Sequence, residues 1–308
     1  MGQMTPPDGP VDTGRGEAKY HRMSESRLVA LMMMMSLASL AISPAAAAPG
    51  QDDPDEPHAA ALASVPSKAD LRQPHARPRA TKIVKLYESL VFPTPVAIIS
   101  GQQSVSDIFD AAVMGRVTPA GHFHDSEAVK EYFFGLAVTP TSRVVGTAFK
   151  SLTVSGDKVA VEVDIHFQRT NGLPDFTLRQ TGFFTFNSHD RVTSFDLAIL
   201  NLGAAINPKS VAEQEAAIQG VCAILTLGFS GQAATCPGEF NGFADCVTFM
   251  HSIPYGTWDR ANSNTFVCRQ LHSLLTPFRP AVHCPHCGKT GGNACIDFTY
   301  ESFFDVEF

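Results

Sequence analysis

The chain has 308 residues, of which 44% are hydrophobic and 17% charged, with a formal net charge of −7. That is ordinary globular material, long enough for one large domain or two smaller ones. The acidic balance and the absence of any clustered basic stretch exclude a nucleic-acid partner, which calls for a positive surface.

Arg22 and Arg27 precede an apolar run from Leu28 to Ile42, which Ser43, Pro44 and the alanines 45–48 follow. This order of basic, apolar and small residues predicts a signal peptide within residues 1–48. The run falls short of the roughly 20 residues needed to span a bilayer, and Pro44 ends its helix. The expectation is a secreted or extracytoplasmic protein with no membrane segment after cleavage. Translation starts at Met1 or at Met23, and both remain open. From Pro49 to Ala80 six prolines punctuate a stretch with few large apolar residues, so a disordered linker is expected. The folded part is expected to begin at about Thr81.

Ile83, Leu86, Tyr87 and Leu90 recur at helical spacing and predict a short amphipathic helix ended by Pro93 and Pro95. Gly115 to Phe123 reads as a strand and bend. Asp125 suits the N-cap of a second helix over 126–136, with Ala128, Val129, Tyr132, Phe133 and Leu136 on one face. Val159, Val161, Val163, Ile165 and Phe167 then alternate strictly with Ala160, Glu162, Asp164, His166 and Gln168, the period of a strand with one apolar face. Further strands are expected over 143–154, 176–186 and 192–202. Short turns join them, which indicates an antiparallel meander. Four strands after two helices describe an α+β domain over 81–204.

Beyond Gly203 the pattern is helical. Ser210-Val211-Ala212-Glu213 is a capping box opening a helix to about Leu227, and further helices are expected over 242–252 and 263–275. All seven cysteines (222, 236, 246, 268, 284, 287 and 295) fall in this region, residues 205–308. In an exported chain they are read first as disulfides, giving three bridges and one leftover thiol, with the pairing left open.

The segments Gly121-His122-Phe123-His124-Asp125-Ser126-Glu127-Ala128-Val129-Lys130-Glu131-Tyr132-Phe133, Gly156-Asp157-Lys158-Val159 and Thr181-Gly182-Phe183-Phe184-Thr185-Phe186, the last leading to Arg191-Val192-Thr193-Ser194-Phe195-Asp196, carry a resemblance. Residues 82–203 resemble the nuclear-transport-factor-2-like superfamily in its polyketide-cyclase-like (SnoaL-like) branch. The resemblance implies a curved sheet wrapped around helices into a cone, with an apolar pocket for a small apolar molecule. It implies cofactor-independent acid/base chemistry (a lyase, isomerase or cyclase), or equally a non-catalytic extracellular binding or interaction module, because this fold hosts both.

An acid/base role needs a carboxylate or histidine in an apolar pocket. Asp196 is where the resemblance places such an acid, although its alternation with Phe195 and Leu197 sets it on the outer face. His124 is the second candidate, beside the capping Asp125. Glu162, Asp164 and His166 share one strand face, as a metal patch or, more simply, as a hydrated surface. In the tail, Cys268, His272, His283, Cys284, His286 and Cys287 are ligand types for zinc or copper, the alternative to disulfides there. Cys284-Pro285-His286-Cys287 also matches the tetrapeptide of periplasmic disulfide oxidants, but the helix that this chemistry needs is not expected after Gly288. No cofactor is otherwise implied, and the cone offers a face for a homodimer.

Overall fold

The computed structural model describes residues 75–228, 233–299 and 301–302. The predicted signal peptide and nearly all of the expected linker lie outside the described residues. Folding starts earlier than Thr81, because helix α1 runs over Ala76–Glu88. Its first turn is fixed by packing that a linker would lack. Ala76, Arg79 and Ala80 are buried, and Arg79 donates to Asp190 Oδ1 (2.8 Å) and to the carbonyl of Asn187 (3.2 Å), both in the turn over 187–191.

After α1 come α2 (Thr94–Ile99), β1 (Phe109–Thr118), β2 (Gly121–Phe123) and α3 (Ser126–Lys130), which continues as a π-helical turn over Glu131–Gly135. Four long strands follow: β3 (Ser142–Ser155), β4 (Lys158–Arg169), β5 (Phe176–Phe186) and β6 (Val192–Leu200). They form the expected meander and extend it to a six-stranded sheet of order β2-β1-β6-β5-β4-β3. β1 joins β6 in parallel, with Arg116 opposite Asp196. The local pattern shows no sign of that pairing, since its partners lie some 80 residues apart.

The sheet is mixed and open, and register shifts in β3 at Val144/Gly146 and Phe149/Ser151 bend it. Val159, Val161 and Val163 of β4 turn inward with Phe184, Phe195 and Leu197 against Ile83, Leu86 and Tyr87 of α1, as the alternation requires. This is the α+β cone that the nuclear-transport-factor-2-like resemblance implies. Burial of each such side chain contributes about 1.5–3 kcal/mol.

The tail is helical, as expected: α4 (Leu202–Ile206), α5 (Val211–Thr226), α6 (Phe243–Ser252), α7 (Phe266–Ser273) and α8 (Pro280–Cys287). Ser210 caps α5 by accepting from the amide of Glu213 at 3.2 Å, while the Glu213 carboxylate accepts from Lys209 N. No separate helix is predicted between Leu275 and Gly288, where α8 lies. Pro280 at its first position starts it, because a missing amide hydrogen is harmless there. Three disulfides, Cys222–Cys246, Cys236–Cys284 and Cys268–Cys295, staple these helices, and Cys287 is the leftover buried thiol.

The two parts are joined by a further apolar cluster. Leu178 and Leu202 of the cone side pack with Trp258, Ala261, Val267 and Leu271 of the tail. Hydrogen bonds fix the loop that carries Trp258. Asp259 Oδ1 accepts from Gly203 N at 2.8 Å, Asn207 Oδ1 from Trp258 N at 2.9 Å, and the Pro119 carbonyl from Ala261 N at 3.1 Å. No helix among the described residues is long and apolar enough to cross a membrane.

Candidate functional site

The open end of the cone meets the tail around a cavity of about 280 Å³. The cone supplies Tyr132 and Phe133 from the π turn, and Ile165, Phe167, Leu178 and Ile199 from the strands. The tail closes it with Trp258, Ala261, Gln270, Leu271 and Leu274. The π turn matters to this arrangement. An extra residue per turn alters which side chains face inward, and all five of its residues, Glu131 to Gly135, are buried.

The wall is apolar with a few placed polar groups. Tyr87 donates to Gln180 Oε1 at 2.6 Å, and Gln180 Nε2 donates to the Tyr132 hydroxyl oxygen at 3.0 Å. Burial pushes the Tyr132 phenol above its ordinary range, so it stays protonated. Arg169 donates from Nη2 to the Ala205 carbonyl at 3.0 Å and lies 4.7 Å from the centre of the Phe176 ring, which itself stacks on Phe167. Two lining residues carry a buried polar atom that no group among the described residues satisfies: Arg169 through Nε and Gln270 through Oε1. Such orphans are uncommon and call for a partner. Among the described residues that line the cavity there is no aspartate, glutamate or histidine.

Asp196 and His124 therefore lie outside this cavity. Asp196 stands on the face opposite Phe195 and Leu197 and accepts from both Nε and Nη2 of Arg116, the former at 3.0 Å. His124 is exposed beside Asp125, whose carboxylate caps α3 by accepting from Ala128 N at 2.7 Å. The patch on β4 is an ion-pair ladder. Arg179 donates to Asp164 at 2.7 Å and to Glu162 at 3.0 Å, Lys150 stands 3.3 Å from Asp164, and His166 contacts Thr177. Hydrogen bonds from Arg179 hold the Asp164 carboxyl below its ordinary value.

The six metal-ligand candidates of the tail divide. Cys268 and Cys284 are spent in disulfides, so neither offers a thiolate. Cys287 is buried against the Arg269 carbonyl, and burial pushes its thiol far up. Cys284-Pro285-His286-Cys287 lies at the C-terminal end of α8, where the dipole does not favour a thiolate, and residues 288–299 form no helix, as expected.

The three histidines converge. His272 Nδ1 is 3.0 Å from His283 Nδ1 and 3.3 Å from His286 Nδ1. Burial, with the neighbouring rings, holds His272 well below the ordinary histidine value, and burial also lowers His286. His283 Nε2 reaches Glu131 Oε2 at 3.2 Å, and Arg279 donates from Nε to Glu131 Oε1 at 2.7 Å. The same π turn thus feeds the cavity and anchors α8. Sequence reading missed Glu131, Arg169, Gln270 and Trp258. Only the unusual run Glu131-Tyr132-Phe133-Phe134 marks the turn locally.

Residues 196–298 match the model of the BfoA family C-terminal domain. The chain is 26% identical over 232 residues to "Aurasperone B biosynthesis cluster protein A" of Aspergillus niger, a match covering 68% of this chain and 74% of that protein. It is 25% identical over 232 residues to "Bifonsecin B biosynthesis cluster protein A" of Aspergillus brasiliensis, covering 68% and 76%. Among solved structures it is similar to a putative SnoaL-like polyketide cyclase from Jannaschia sp. CCS1, with 12% identity over 44% of this chain and 93% of that one and a TM-score of 0.34. The matched C-terminal domain begins in β6 and takes in the whole closure of the cavity, from Leu202 to Leu274.

Proposed function

We propose that the protein binds and orients a hydroxylated aromatic small molecule in the cavity between the cone and its disulfide-stapled closure, in an oxidising, extracytoplasmic space. The observation that carries this reading is the pair of orphaned buried atoms, Arg169 Nε and Gln270 Oε1, on two residues that line a mostly apolar cavity. A ligand with one acceptor and one donor satisfies both, while Phe133, Phe167 and Trp258 contact its ring. An apolar cavity with few convergent polar groups is the usual form of such a site. Proton-transfer catalysis by a carboxylate or imidazole is not part of this reading, since no such group is among the described residues of the wall. The names of the relatives associate them with the biosynthesis of aurasperone B and bifonsecin B, in keeping with a role beside a small natural product. The three disulfides support the compartment.

The test uses 4-hydroxyacetophenone, an aromatic ring with one donor and one acceptor, and ethylbenzene, which lacks both. Calorimetric titration is expected to give one site with a clear preference for the polar probe. Gln270→Leu is expected to weaken the polar probe about 10-fold, the equivalent of one hydrogen bond, and to leave ethylbenzene unchanged. The same variant is expected to unfold at a higher denaturant concentration, because it removes an unsatisfied buried oxygen. Equal affinities for the two probes, or a Gln270→Leu protein that binds as tightly as the wild type, contradicts the reading.

A further inference from the structure

We propose that His272, His283 and His286 form a three-imidazole centre for a late first-row divalent cation, zinc or copper, separate from the cavity and bracing its closure. The three residues come from α7 and α8, and their ligand atoms all lie within 4.8 Å of one another. An ion held tetrahedrally at about 2.0–2.1 Å from each nitrogen sets those nitrogens about 3.3 Å apart. The two distances from His272 Nδ1, 3.0 and 3.3 Å, lie close to that value.

The outer nitrogens decide the matter. His283 Nε2 faces the Glu131 carboxylate at 3.2 Å, and His286 Nε2 faces Asn293 Oδ1 at 2.7 Å. Both oxygens are acceptors, so both Nε2 atoms carry hydrogen, which leaves the two Nδ1 atoms as lone pairs. Both lone pairs meet the single Nδ1 of His272. That atom has at most one hydrogen to offer, too few for two well-directed bonds. A cation bound by all three lone pairs removes the conflict, and a histidine ligand whose far nitrogen donates to a carboxylate or amide oxygen is the usual supporting arrangement of such centres. The disulfide sulfurs of Cys268 and Cys295 also lie near His272. Being bridged, they supply no thiolate, so the donor set is all nitrogen, which suits zinc and copper.

Glu131 ties the centre to the π turn that lines the cavity, and Gln270, Leu271 and Leu274 flank His272 on the closing segment. Metal binding therefore fixes α7 and α8 against the cone.

The experiment is titration of the untagged, disulfide-intact full chain, stripped with chelator, by Co²⁺ and then Zn²⁺. The expected result is a saturable visible absorption of tetrahedral Co²⁺ at one equivalent, displaced by Zn²⁺. His283→Ala and His286→Ala are expected to weaken Co²⁺ binding at least 100-fold. Asn293→Ala, at an exposed position that folding tolerates, is expected to weaken it about 10-fold to 100-fold. His251→Ala, at an exposed histidine that meets Glu215 away from the centre, is expected to bind as the wild type does. Absence of a saturable band in the wild type, unchanged affinity in Asn293→Ala or in either tripod variant, or equal loss in His251→Ala overturns the proposal.

Discussion

Replacing Glu131 with alanine is expected to destabilise the protein by about 3–5 kcal/mol, the usual penalty for removing one partner of a buried charge pair. Glu131 is 3% exposed. Its carboxylate takes both arms of Arg279 and meets His283, while the Arg279 contact to Asp125 is longer, at 3.8 Å. The loss is not only local. Arg279 and His283 belong to the segment that closes the cavity, so ligand affinity is expected to fall together with the unfolding midpoint. Urea unfolding of the wild type, Glu131→Ala and Glu131→Gln, with m-values compared, measures the effect. Glutamine keeps the shape and a smaller share of the hydrogen bonding and should lie between the other two.

The same carboxyl predicts a pH dependence. Burial alone would raise its pKa, but the bonds from His283 and Arg279 prevail and hold it below the ordinary value of 4.5. A carboxyl lowered in the folded state stabilises fully above its unfolded pKa, and that stability is lost as the pH falls through the folded one. Below about pH 4.5 the wild type should therefore lose stability faster than Glu131→Gln, and the gap between them should narrow. Asp164 and Asp190, also lowered by their ion pairs, act in both proteins and cancel in the comparison.

Removing the Cys236–Cys284 bridge as Cys236→Ser/Cys284→Ser is expected to have an effect of similar size, about 4 kcal/mol. The bridge closes the longest of the three loops, with a sequence separation of 48 against 24 and 27, and loop-closure entropy grows with the logarithm of that length. Cys236 and Cys284 are also part of the tail's own core, with Ile218, Val221, Leu225 and Phe266. Because the bridge holds α8 in place, its loss should loosen the His283–Glu131 contact as well. Thermal unfolding with and without reductant measures this. Thiol labelling adds a check: one thiol, Cys287, should react, and only after denaturation, since burial both shields it and keeps it protonated.

Much of the fold was legible in the sequence because its signals are local. The alternation from Val159 to Phe167 marked β4 and its inward face, Ser210 and Glu213 marked the head of α5, and Asp125 marked the cap of α3. Seven cysteines in one region announced three bridges, though not which ones. The parallel pairing of β1 with β6 and the start of α1 at Ala76 were hidden, since each rests on contacts about 80 to 115 residues apart.

The sites were less legible for the same reason. The tail histidines stood out by residue type, but the Glu131 contact that orients His283 spans 152 positions. Asp196 drew attention as a carboxylate on the last strand, and its neighbour across the parallel pair, Arg116, accounts for it. Arg169 and Gln270 carry no local signal at all, because what distinguishes them is a missing hydrogen bond in a cavity that the chain forms only when its two parts meet.

The most direct test of the account is the emission of Trp258, the chain's single tryptophan, which is 8% exposed and lines the cavity. Free protein should emit at short wavelength, and 4-hydroxyacetophenone should quench that emission saturably at one equivalent, more weakly in Gln270→Leu. Emission that starts at the wavelength of water-exposed indole, or quenching that rises linearly without saturating, would contradict a closed ligand cavity between cone and tail.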